Sequence, residues 1–169
     1  MAQDRPALEE VYRAYAPGLL AFLCARLESP AWAEDLLHDV FLAYMQQDSR
    51  QVRSPKWYLF RTAHRLSLNA LRDQARASRA QHLLASRTAW ETNDSDSAVA
   101  GELADSLARL PQEQRGILVL HTYAQMTFQE MASMLDMPLT TVFIRYRQGI
   151  ESLRRILDGK PAATQEARP

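Results

Sequence analysis

"TFQEMASMLDMPLTTVFIRYRQGIESLRRIL", Thr127 to Leu157, decides how this chain folds and where it can act. Thr127 and Glu130 make a T-x-x-E capping box, and Phe128, Met131, Ala132 and Leu135 follow at helical spacing. "DMP" turns the chain: Asp136 tolerates the left-handed conformation such a turn requires, and Pro138 suits the entry of a new helix. That helix is expected to bury Val142, Tyr146, Gly149, Leu153 and Leu157. Ala132 is the small residue that lets the two helices approach, and Met126, Met131, Met134 and Met137 are read as core packing. A helix, a tight turn and a second helix is the shape that lays a helix in the DNA major groove. The outward face then holds Thr140, Thr141, Phe143, Ile144, Arg147, Gln148 and Glu151. Two apolar residues stand where a DNA-reading surface would be basic or polar. They can meet thymine methyls or form a protein-binding patch, and both readings stay open.

Upstream, the same helical grammar repeats. Apolar positions at Leu8, Val11, Tyr12, Tyr15, Leu19, Phe22, Leu23 and Leu27 predict a helix over 6–28, with Pro17 a kink or restart. Ser29-Pro30 and Ser54-Pro55 each read as an N-cap followed by proline at the first helical position. The first opens a helix with Leu36, Leu37, Val40, Phe41 and Tyr44 on one side. The second opens one carrying Trp57, Leu59, Phe60, Ala63, Leu66, Ala70 and Leu71, which leaves Arg61, Arg65 and Arg72 for its other faces. Periodicity fades in "RTAWETNDSDSAVA", a polar linker, and resumes at Leu103, Leu107 and Leu110, with Pro111 starting a further helix.

Composition agrees. The chain has 169 residues, 47% of them apolar, and only 5 glycines. Good helix formers dominate, so the fold is expected to be all-α: two small helical domains joined by a flexible acidic linker. Its parts are 6–86, a linker at 87–102, a helix-turn-helix domain at 103–158 and a disordered tail at 159–169. Net charge is zero, but its distribution is uneven. Arg50 to Arg79 holds eight Lys/Arg and one acid, whereas Glu91 to Asp105 holds five acids and no base. A basic segment before an acidic one suggests a polyanion-binding surface and a solvated connector, although charge runs are also common on plain solvated helix faces. Cys24, the single cysteine, sits in an apolar stripe and reads as a buried thiol. With no nucleophile–base pair, metal-ligand spacing or glycine-rich phosphate loop, no enzyme, cofactor or metal is expected. No signal peptide or bilayer-spanning run is visible, so a cytoplasmic location is expected.

The order of these elements resembles the extracytoplasmic-function (ECF) group of bacterial σ factors, which keep two domains, σ2 and σ4. Four stretches carry the resemblance over roughly residues 8–157: "AEDLLHDVFLAY", "PKWYLFRTAHRLSLNALRDQAR", "LARLPQEQRGILVLHTYAQ" and "MTFQEMASMLDMPLTTV". It implies a promoter-specificity subunit of RNA polymerase, with core enzyme (β′ clamp and β flap), promoter DNA and an anti-σ factor as partners and no small-molecule substrate. The segment around Asp35, Leu36, His38, Asp39 and Phe41 would dock on the clamp. On its own, the Asp35–Asp39 pair reads as a solvated acidic stripe.

The resemblance gives the basic segment, with Lys56, Arg61, Arg65, Asn69 and Arg72, the −10 element to open; Trp57 is read as core rather than base-stacking surface. Thr140, Thr141, Phe143, Ile144, Arg145, Arg147 and Gln148 would meet the −35 element, with Arg145, Arg147, Arg154 and Arg155 left for the DNA backbone. The chain departs from the family pattern at Asn69, where Asp is usual, and at Phe143, where Lys is usual. "HDVF" and "SPKWYLF", with the non-Lys start of the last helix, lean toward the iron-starvation subgroup, which drives iron-uptake genes under an inner-membrane regulator. A σ-fold regulator acting by protein binding alone is the alternative.

Overall fold

The computed structural model describes residues 8–27, 29–47, 52–80 and 105–159. Six helices carry it: α1 (Leu8–Arg26), α2 (Pro30–Met45), α3 (Pro55–Ala80), α4 (Gln112–Thr122), α5 (Phe128–Leu135) and α6 (Leu139–Leu157). A short helical segment at 105–108 precedes α4, and no strand occurs among the described residues. The all-α expectation holds. The expected linker at 87–102 and the tail beyond Gly159 lie outside the described residues.

The helix starts obey the sequence. Ser29 Oγ accepts the Trp32 N–H at 3.4 Å, and Ser54 Oγ accepts the Trp57 N–H at 3.3 Å. The capping box closes in both directions: the Glu130 N–H donates to Thr127 Oγ1 at 3.2 Å, and the Thr127 N–H donates to Glu130 Oε2 at 2.8 Å. That backbone hydrogen bond holds the Glu130 carboxyl below its ordinary range. Asp136 has φ 54° and ψ 49°, and its N–H returns to the Ala132 carbonyl, so the left-handed turn forms without glycine. Pro17 behaves otherwise than expected, for α1 runs through it unbroken. Arg13, Ala14 and Pro17 all face solvent, where water can serve the carbonyl that the ring leaves without a donor.

In the N-terminal half, α1, α2 and α3 bury Val11, Leu19, Leu23, Val40, Tyr44, Leu59, Phe60 and Ala63. Cys24 is buried among them, as expected, and burial pushes its thiol up to about 11, with Glu34 adding to the effect. In the C-terminal half, Ile117, Leu120, Met126, Met131, Met134 and Val142 form the core, so the methionines pack as read. Gly149 lets α6 lie on α4: a Cβ there would sit 3.1 Å from Leu118 Cδ1. Leu157 was expected to be buried and is exposed at the far end of α6.

The two cores are one cluster, because α1 packs on α4 as well as on α2 and α3. The two helices run antiparallel. Gly18 lies against the Tyr123 carbonyl, Phe22 against Gly116, and the Arg26 carbonyl accepts from Gln112 Nε2. Phe22 is wholly buried and edge-on to Phe60 at 6.1 Å, so one side chain belongs to both halves.

Two substitutions test this packing. Gly149→Leu should force α6 from Leu118 and cost about 1–3 kcal/mol, measured by urea unfolding followed by circular dichroism. Asp136→Val puts a β-branched residue at positive φ and should cost about 1–2 kcal/mol, whereas Asp136→Gly should be tolerated.

Candidate functional site

Three surfaces carry the residues singled out by the sequence. On α2, Glu34, Asp35, His38 and Asp39 are exposed along one face. Asp35 and Asp39 stand one turn apart, as the i, i+4 spacing dictates. Leu36 and Phe41 do not join them. Each is only 6% exposed, and Phe41 packs against Tyr12 with ring centroids 4.8 Å apart. The helix period takes both inward, which corrects the expectation that they form part of a contact face. The apolar part of the outward face is instead Leu42 and Met45, with Leu8 and Tyr12 exposed on α1 at the same end of the antiparallel hairpin. The signal for Leu42 and Met45 was present in the sequence, at i+3 from Asp39 and Leu42.

On α3 the basic residues divide. Arg65, Asn69 and Arg72 are exposed at i, i+4 and i+7, a polar ridge with no partner from the C-terminal half shown on it. Lys56 and Arg61 are engaged. Lys56 Nζ donates to the Gln125 carbonyl at 3.0 Å, and Arg61 donates to the Ser133 carbonyl at 3.4 Å. Both acceptors lie in the C-terminal half, so these cations are not free as the sequence had suggested. Trp57, read as core, is exposed and lies under the Arg61 guanidinium at 4.9 Å. Packing against a cation on the surface replaces the expected burial.

On α6, Thr140, Phe143, Ile144 and Arg147 are exposed, and Thr141 and Gln148 are half-buried. Phe143 and Ile144 show 49% and 54% of their surface. Phe143 is not loose: its ring stands edge-on to Phe128 at 5.7 Å. Phe128 in turn stacks on His121 at 5.1 Å and meets Tyr146 at 5.0 Å. His121 Nδ1 lies 3.0 Å from the Met126 carbonyl, an arrangement in which the ring N–H donates. This aromatic cluster, formed across α4, α5 and α6, was not visible in the sequence because its members lie far apart in the chain. Arg145, expected to serve DNA phosphates, pairs instead with Glu113 at 2.6 Å and reaches Met137 Sδ at 3.6 Å. Arg155 pairs with Glu151 within its own helix. Arg147 and Arg154 are exposed.

Between the halves lies a cavity of about 340 Å³ lined by Phe22, Arg26, His64, Gly116, Ile117 and Arg145, among others. Arg26 Nε donates to the buried Ser67 hydroxyl at 2.8 Å, and its guanidinium lies over Phe22. Burial lowers the Arg26 pKa, against the pull of Glu113. His64 Nδ1 is buried without a hydrogen-bond partner. Among the described residues no helix is long and apolar enough to cross a membrane.

Comparison with known proteins accounts for this arrangement. The σ70 region 2 family matches residues 11–77, and the σ70 region 4 family matches residues 100–153. The RNA polymerase sigma factor CarQ of Myxococcus xanthus is 29% identical over 165 residues, which cover 92% of this chain and 91% of CarQ. Among solved structures, the fold is similar to the sigma factor RpoE in complex with the anti-sigma factor NepR from Bartonella quintana. The TM-score is 0.75 at 20% identity, over 89% of this chain and 96% of that one. CnrH in complex with the cytosolic domain of CnrY gives a TM-score of 0.58 at 19% identity, over 95% and 93%. With α1–α3 inside the region 2 match and the helix-turn-helix inside the region 4 match, the chain belongs to the extracytoplasmic-function group of the σ70 family, DNA-binding transcription-initiation factors that are not enzymes.

Proposed function

We propose that this σ factor binds core RNA polymerase through the outward face of α2 and reads promoter DNA with α3 and α6. The observation that carries this reading is the separation of the α2 face from the rest. Asp35, His38 and Asp39 are exposed beside Leu42 and Met45, an acidic surface with an apolar edge that suits a basic helical partner such as the polymerase clamp. The polar ridge Arg65–Asn69–Arg72 supplies phosphate contacts for the −10 element, and the Trp57 face can stack an unpaired base. On α6, Thr140, Thr141, Phe143, Ile144, Arg147 and Gln148 face the −35 element, with the apolar pair directed to thymine methyls.

An anti-σ factor is the further partner this reading includes. RpoE is seen bound to the anti-sigma factor NepR, and CnrH to the cytosolic domain of CnrY. The exposed Phe143 and Ile144, together with the engaged Lys56, Arg61 and Arg145, favour a second reading in which α6 first meets protein and only later DNA. Regulation from the inner membrane and control of iron-uptake genes rest on the "HDVF" and "SPKWYLF" stretches and the non-Lys start of α6; anti-σ control does not depend on them.

Two measurements test the assignment. Asp35→Lys combined with Asp39→Lys should weaken binding to core polymerase by on the order of tenfold or more, with helicity unchanged by circular dichroism. Undiminished capture in a pull-down would refute the docking face. Phe143→Lys should raise non-specific DNA affinity and reduce discrimination at the −35 element by about 1–3 kcal/mol, read by in-vitro transcription from matched and mismatched promoters. If promoter choice is unchanged and anti-σ affinity falls instead, α6 is a protein-binding surface.

A further inference from the structure

We propose that the seam between the σ2 and σ4 halves is a proton-sensitive latch: protonation of His64 loosens α3 and α1 from α4 and releases Lys56 and Arg61 from the carbonyls of the C-terminal half.

The geometry leaves His64 Nδ1 without a protein acceptor for a proton. It lies on α3 at the wall of the interdomain cavity, next to Phe22 of α1 and Gly116, Ile117 and Leu120 of α4. Its Nδ1 is buried with no hydrogen-bond partner, so a proton added there would have no acceptor. The charged groups facing it come from four elements. Arg26 of α1 and Arg61 of α3 oppose the imidazolium directly. Across the cavity stand Arg145 of α6 and Glu113 of α4, and that carboxylate is already paired with Arg145 at 2.6 Å. From α5 the wall receives Leu135, an apolar side chain. Burial first, then Arg26 and Arg61, holds the His64 pKa down to about 4 from its ordinary 6.5.

When the halves separate, the ring regains water, while Arg26 and Arg61 of its own half stay beside it, so its pKa rises from the closed value toward 6.5 without reaching it. Above pH 6.5 the ring is neutral in both forms and closure is unaffected. As the pH falls from 6.5 toward 4, the open form takes up the proton and the closed form does not, so closure weakens. At pH 5.5 the ratio of closed to open molecules should be lower than at pH 7.5, by up to about tenfold. Separation matters because the closed form ties up two of the five cations of α3 that precede its last turn: Lys56 on Gln125 and Arg61 on Ser133, with Arg65, Arg72 and Arg76 outside the seam. Opening returns both to solvent, where they can meet a polyanion.

The full chain carries the test. Gln46→Cys at the C-cap of α2 and Arg154→Cys on α6 place exposed thiols in the two halves for a fluorescence donor and acceptor, Cys24 being buried. Energy transfer is read from pH 7.5 to 5.5 in this labelled chain, with and without His64→Gln, which cannot titrate. It is also read with Lys56→Ala, which removes one seam contact and brings a wholly closed chain into measurable range. The closed-to-open ratio should fall severalfold with His64 present, at most about tenfold, and stay nearly constant in H64Q, while helicity by circular dichroism is unchanged. A ratio that is flat both with and without Lys56→Ala overturns the latch. So does a pH response retained by H64Q, or a loss of helicity over the same range in place of separation of intact halves.

Discussion

Phe22 is the constraint on which the arrangement depends. Its ring is wholly buried, edge-on to Phe60 within its own half and against Gly116 of the other. Burial of such a ring contributes about 1.5–3 kcal/mol, and here one ring supports two cores. The close approach needs small residues on both sides. Gly116 admits the ring, and Gly18 admits the Tyr123 carbonyl about one turn away along α1. From this single antiparallel contact the other placements follow: Gln112 reaches the Arg26 carbonyl, and the start of α3 comes under the loop before α5.

That contact also sorts the cations. Arg26, Lys56, Arg61 and Arg145 lie at or beside the seam and have partners. Arg65, Arg72, Arg147 and Arg154 lie away from it and are exposed. The same side-chain type therefore holds the closed form in one place and stays available to nucleic acid in another, and only position along each helix separates the two. Hydrogen bonds to exposed cations are weak individually, so the apolar contact around Phe22 provides most of the closing energy and the cations set its register.

Local structure was legible in the sequence because local chemistry determines it. Ser29, Ser54 and Thr127 each cap the helix they precede, and Asp136 adopts the left-handed turn. Met126, Met131 and Met134 are core as read, and Met137 packs half-buried against them. What escaped the sequence is non-local. Nothing in "SPKWYLF" shows that Lys56 meets Gln125, 69 residues on, or that Trp57 lies outside beneath Arg61. The resemblance puts Leu36 and Phe41 on a contact face, whereas the spacing of α2 sets them on one side with Leu37, Val40 and Tyr44. The helix period turns that side inward, and α1 covers it, with Tyr12 on Phe41. The aromatic cluster around Phe128 is non-local too, since His121, Phe128, Phe143 and Tyr146 belong to three helices.

The acceptors that hold Lys56 and Arg61 are main-chain carbonyls, those of Gln125 and Ser133. A carbonyl is present whatever residue occupies the position, so this side of the clasp is insensitive to sequence drift. Its accuracy depends on backbone shape alone, and at Gln125 that shape is unusual, with φ at 49°. The C-terminal half is thereby free to change the side chains it offers to DNA or protein while still receiving the same two cations. Recognition can diverge without loss of the closed form, provided the bend between α4 and α5 keeps its course.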